Sequence, residues 1–202
     1  VLVAFSEPFF RTQQILVQSK PKNWRKLTLD QIDNSLIKDP LDLDKEKVIV
    51  KRNSSFSDNL KDFSYKNGLD IVIDDATENQ TTEDLIELVD QGKIDFTVAD
   101  KNTIKFYESL YSSLDFKTAV SFNQNIAWSV PKQEEELLSV LNKWIKKNKG
   151  GVRFNMLNNR YFEISYKDRK RLKKIWDSKT GVISEYDDLI KSVSEEHNVN
   201  WI

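Results

Sequence analysis

The stretch from Glu83 to Tyr107, EDLIELVDQGKIDFTVADKNTIKFY, constrains this chain more than any other. Leu85, Ile86, Leu88 and Val89 form an apolar stripe at helical spacing, with Thr81 or Thr82 available to cap its start. Gly92 is the natural residue to end that helix in a left-handed conformation. Ile94 to Val98 then alternates with period two and is rich in β-formers, which predicts a strand. Asp100 stands just past this strand, and Ile104, Phe106 and Tyr107 predict a second helix. Helix, glycine, strand, acidic residue, helix is the pattern of an α/β fold, where ligands gather outside the carboxyl ends of strands. Asp100 is thus placed either to touch a ligand or to cap the helix that follows, and the pattern leaves both readings open.

Composition removes several function classes. The chain has 202 residues, 31% of them charged, and a net charge of −1, so no basic field argues for nucleic acid. It has no cysteine and one histidine, His197, which removes thiolate chemistry and leaves no histidine-based metal site or catalytic triad. No catalytic residue, metal site or cofactor is assigned. No apolar run approaches the roughly 20 residues that span a bilayer. The opening VLVAFSEPFF lacks the basic leader of a signal peptide and runs straight into strand-like sequence, so the chain reads as cut from something longer.

Taken in order, Pro8 interrupts the first strand-like segment, which predicts a loop carrying Phe9 and Phe10 and then a strand from Gln13 to Gln18. A weak helical piece, Leu29 to Leu36, follows Thr28. Lys47 to Lys51 predicts a strand covered on both faces. Ser55 with Asp58 has the spacing of a capping box, ahead of a helix with Phe56, Leu60 and Phe63 on its apolar side. Such a helix start either forms a small anion site or is simply capped. Arg52 reads as a solvated surface charge. Gly68 ends the helix and Leu69 to Ile73 predicts another strand, so the strands at 47–51, 69–73 and 94–98 form one largely parallel sheet with right-handed crossovers.

Leu114 to Val120 reads as a connection, and Asn125 to Val130 as one strand ended by Pro131. Leu137, Leu138, Leu141, Trp144 and Ile145 give a broad apolar helical face, and Phe154 to Phe162 builds the next helix, its aromatics and Trp144 reading as core. Residues 163–183 are basic and read as a linker. Ser184 to Asp187 repeats the capping-box spacing, with Tyr186, Leu189, Ile190 and Val193 on one helical face.

The segments EPFFRTQQILV, VIVKRNSSF, GKIDFTVAD, NIAWSVPK and GGVRFNMLNNRYF, in that order, resemble the family-3 extracellular solute-binding proteins. ISEYDDLIKSVSEEHNVNWI resembles the opening helix of a lysozyme-like lytic transglycosylase domain. The combination looks like the membrane-bound lytic murein transglycosylase F family, which cleaves peptidoglycan at the outer membrane. The resemblance implies a type II periplasmic-binding-protein-like α/β clamshell with an incomplete first lobe. Residues 1–20 and 122–162 would supply crossing strands and first-lobe helices, residues 21–121 the second lobe, and 184–202 the start of a helical domain. It also implies a periplasmic setting. The ligand-clamping arginine would lie before EPFF and the catalytic glutamate beyond Ile202, so no glycosidic activity is expected of this stretch.

The same resemblance puts Ser54, Ser55 and Asp100 at second-lobe contact positions. A helix start suits a carboxylate and Asp100 an ammonium, so the expected partner is a zwitterionic amino acid or the end of a peptidoglycan peptide. Phe9 and Phe10 would cover its apolar part, with Asn123 a hydrogen-bond partner. Peptidoglycan itself would be reached through the catalytic domain of the longer protein. A transport-only amino-acid-binding protein is the alternative, and a purely structural interaction module a third.

Overall fold

The computed structural model describes residues 3–108, 110–162 and 187–197. The chain divides into two units at Phe162, and each is taken by itself.

Among the described residues the first unit contains nine strands: β1 (Val3–Phe5), β2 (Phe10–Thr12), β3 (Gln14–Ser19), β4 (Lys47–Val50), β5 (Val72–Asp75), β6 (Phe96–Asp100), β7 (Leu114–Asp115), β8 (Gln124–Ile126) and β9 (Ser129–Pro131). Its helices are α1 (Leu29–Asp33), α2 (Ser55–Asn67), α3 (Thr82–Asp90), α4 (Lys101–Tyr107), α5 (Glu135–Asn148) and α6 (Val152–Phe162). Five strands form one sheet in the order β5-β4-β6-β3-β7. As predicted, β4 runs parallel to both β5 and β6. The other half of the sheet is not parallel: β3 pairs antiparallel with β6 and β7. The 114–120 connection therefore contains an edge strand, and β3 belongs to the sheet.

The sheet is covered on both faces, and the alternation along β3 and β6 sorts the side chains between them. Leu16 and Val98 join Val48, Val50, Phe56 and Leu60 in one buried cluster beneath α2. Ile15, Val17 and Ala99 join Ile86, Val89 and Ile104 in the other, beneath α3 and α4. Each fully buried Leu, Ile or Val contributes about 1.5–3 kcal/mol.

Helix ends follow the local sequence where the residue types permit it. Thr28 with Gln31 and Thr81 with Asp84 both close capping boxes. Behind α3, Gly92 adopts φ 65°; its N–H donates to Val89 O and that of Lys93 to Leu88 O, a Schellman pair. The strand predicted from Leu69 begins at Val72 instead. Leu69 is still engaged in the helix end, its N–H donating to Ser64 O at 2.9 Å while Ser64 Oγ donates to Leu69 O at 2.6 Å. Ladder pairing starts only beyond that closure.

Two antiparallel ribbons, β1 with β9 and β2 with β8, lie outside the main sheet. The single strand predicted over 125–130 is thus two, separated at Ala127–Trp128 because β8 and β9 serve different partners. Phe10 is in β2 rather than in a loop. Trp144, predicted as core, is 50% exposed, whereas its neighbour Ile145 is buried. Leu137, Val140, Met156 and Leu157 are likewise exposed, so α5 and α6 carry unburied apolar faces.

The second unit is described only by a helix, α7 (Asp187–His197), whose Leu189, Ile190 and Val193 are exposed. The linker 163–183, the Ser184 capping signal and Tyr186 lie outside the described residues, as do Asn198 to Ile202.

Candidate functional site at the carboxyl edge of the sheet

Because β4 and β6 are adjacent and parallel, the segments leaving their carboxyl ends emerge at one edge of the sheet. From β4 the chain passes through Asn53, held at φ 54°, into Ser54 and the start of α2. From β6 it ends on Asp100 and turns into α4. The antiparallel β3 begins at the same edge, Gln14 standing opposite Asp100. The fold thus brings Ser54, Ser55 and Asp100 to one side of the molecule.

The start of α2 differs from the predicted capping box. Ser54, not Ser55, is the N-cap residue, and no side chain caps the helix. Ser54 Oγ donates back to Lys51 O, just past the end of β4, and accepts from none of the first-turn N–H groups. The first-turn N–H groups are left to water or to an anion. Ser55 is exposed and Ser54 partly so. Arg52 is exposed and lies 3.7 Å from Glu78, in keeping with a surface charge.

Asp100 has the backbone angles of an N-cap, φ −68° and ψ 139°, but its carboxylate does not cap α4. It accepts a hydrogen bond at 3.3 Å from Thr12 Oγ1. Burial raises its pKa above the ordinary 3.8, with the Thr12 bond opposing that rise. A half-buried carboxylate with one long hydrogen bond suits a cationic or donor partner.

Phe9 and Phe10 sit in an aromatic cluster built on the ribbons. Phe9 packs edge-on to Phe10 at 5.0 Å and against Trp128 at 4.8 Å, Phe10 faces Phe154 at 5.6 Å, and Trp128 reaches Trp144 at 6.0 Å. Their link to Asp100 runs through Thr12, two residues beyond Phe10 in β2. Asn123 is exposed, just before β8.

Two residues escaped the sequence reading. Thr12 is buried and is the Asp100 partner. Gln14 is 1% exposed, and its Nε2 and Oε1 have no hydrogen-bond partner. The signal that could have found them is RTQQ, a polar run set directly before an apolar strand. A separate open groove of about 580 Å³ runs along the outer side of α2, lined by Asn59, Phe63, Asn67, Gln13 and Phe122 among others, and contains none of the predicted residues. Among the described residues no acidic or histidine group is clustered for a metal ion.

No family model matches the chain. A membrane-bound lytic murein transglycosylase F of Desulfosudis oleivorans is 25% identical over 198 residues, covering 98% of this chain and 40% of that protein. Another of that name, from Saccharophagus degradans, is 30% identical over 143 residues, covering 67% of this chain and 24% of its own length. The chain therefore spans less than half of these relatives. Among solved structures, a mutant of ArgBP from T. maritima has a TM-score of 0.61 at 20% identity, covering 80% of this chain and 62% of that one. The GluR0 ligand-binding core in complex with L-glutamate has a TM-score of 0.60 at 13% identity, covering 79% and 64%. The fold is that of type II periplasmic binding proteins, a mixed α/β fold with an open sheet.

Proposed function

Kinship with the membrane-bound lytic murein transglycosylase F proteins, which extends over 98% of the chain in one case, is the premise from which we propose a regulatory ligand-binding module. In this reading the first unit takes an amino acid or the peptide end of a muropeptide and adjusts the activity of a longer, periplasmic, peptidoglycan-cleaving protein associated with the outer membrane.

The observation that carries the reading is the Asp100 carboxylate. It lies at the carboxyl edge of the sheet, half-buried and not spent on capping α4, with the uncapped start of α2 leaving the neighbouring strand. An ammonium on Asp100 and a carboxylate at Ser54 and Ser55 make a complementary pair for a zwitterion. Phe9, Phe10 and Asn123 complete the proposed contacts.

Isothermal titration against L-arginine, L-glutamate, L-glutamine and purified muropeptides tests it. A charged hydrogen bond is worth about 1.5–3 kcal/mol, so Asp100→Ala is expected to weaken binding roughly tenfold to a hundredfold. Unchanged affinity in that variant, or no binding by the parent in a form carrying the full clamshell, overturns the reading.

A stand-alone amino-acid-binding protein serving a transporter is the second reading, favoured by solved neighbours such as an ancestral arginine-binding protein bound to arginine. The coverage favours the first. That neighbour spans 79% of the chain, whereas the transglycosylase relative spans 98%. Activation of the longer protein by a muropeptide, lost in Asp100→Ala, separates the two.

A further inference from the structure

Gln14 is a costly residue for the place it occupies. A carboxamide buried without partners forfeits the hydrogen bonds it had in water, and a leucine there would avoid the loss. Its backbone is fully engaged: the N–H donates to Ser121 Oγ at 2.9 Å and the carbonyl accepts from Val120 N–H at 2.9 Å. Only the side chain, with Nε2 and Oε1 both buried, is left unpaired.

Its position says what could satisfy it. Gln14 and Asp100 are directly opposed in the β3–β6 ladder. Opposed residues project from the same face with Cβ atoms roughly 4.5–5.5 Å apart, within the reach of a glutamine amide. Asp100 holds one long hydrogen bond, from Thr12, on Oδ1. An unpaired buried donor and an under-served carboxylate therefore stand side by side.

We propose that Gln14 is a positioning residue for Asp100, turning its amide to donate to the carboxylate when Asp100 ionises and so holding it oriented for a ligand ammonium. The arrangement with Gln14 unpaired and the one with Gln14 on Asp100 differ by rotation of one side chain. This rests on the reading of Asp100 as the ammonium site, but its test needs no ligand. Burial and the Thr12 bond are the causes of the Asp100 shift, with no charged neighbour among them, so a change in one donor is readable.

The carboxyl carbon of Asp100 is followed by NMR across an acid titration of the labelled chain, in the parent and in Gln14→Leu. Loss of a donor to the ionised form raises the midpoint in the variant by about one pH unit or more, a tenfold gain in proton affinity. In the parent, the Gln14 side-chain amide signals shift with the same midpoint. Should Gln14→Leu not fold, the parent amide signals decide the matter alone. An Asp100 midpoint unmoved by Gln14→Leu, or amide signals that ignore the Asp100 titration, overturns the proposal whatever Asp100→Ala does to ligand binding.

Discussion

At the residue scale, the carboxylate of Asp100 links stability to pH. Its folded pKa is raised by burial, so the folded state prefers the protonated form and loses stability as pH rises from the ordinary 3.8 through the folded value. Below 3.8 both states are protonated and no such loss remains. Asp100→Asn, which cannot ionise, is therefore expected to melt higher than the parent at pH 7, with the gap closing as the acid limit is approached. Thermal unfolding followed by circular dichroism across that range checks it; a gap of the same size at every pH contradicts the burial argument. The same group is expected to be needed for ligand binding, so this position trades stability for function.

At the scale of elements, two helix starts with similar sequence signals behave differently. Thr81 accepts from Asp84 N–H while Asp84 Oδ2 accepts from Thr81 N–H, a reciprocal closure. At α2 neither serine closes the corresponding pair. Thr81→Ala is thus expected to cost about 0.5–2 kcal/mol in urea unfolding, and Ser55→Ala less than about 0.5 kcal/mol. A loss at Ser55 equal to that at Thr81 would mean that Ser55 does cap α2, against the geometry of its start. Gly92 provides a second check on helix closure: at φ 65° an alanine is strained, and Gly92→Ala is expected to lower stability by about 1 kcal/mol.

At the scale of the whole molecule, the first unit has an uneven distribution of burial. The sheet and its covering helices α2 to α4 are closed over two clusters. By contrast, Val140, Trp144 and Leu137 on α5, and Val152, Met156 and Leu157 on α6, remain open to solvent. Exposed large apolar side chains on these two helices promote association in water. The isolated chain is expected to bind a hydrophobic dye and to self-associate as concentration rises. Val140→Glu with Met156→Lys should reduce both without loss of melting temperature, which analytical ultracentrifugation and dye fluorescence would show. Monomeric behaviour of the parent at high concentration contradicts the expectation.

Local sequence determined those features whose physics is local. Period-two alternation located β6, short β-forming apolar runs located β3 and β4, helical periodicity located α2 and α3, and Gly68 and Gly92 marked helix ends because a positive φ is cheap only for glycine. Asp100 was legible as a site candidate because its place after a strand follows from element order alone. Tertiary structure decided what depends on residues far apart in sequence. That β3 runs antiparallel to β6 is a matter of which strand lies beside which, and it alone sets Gln14 opposite Asp100 and Thr12 within hydrogen-bonding distance of it. The division of the 125–130 segment between two partners and the exposure of Trp144 have the same origin: periodicity identifies an apolar face, but only the packing of distant segments decides whether anything covers it.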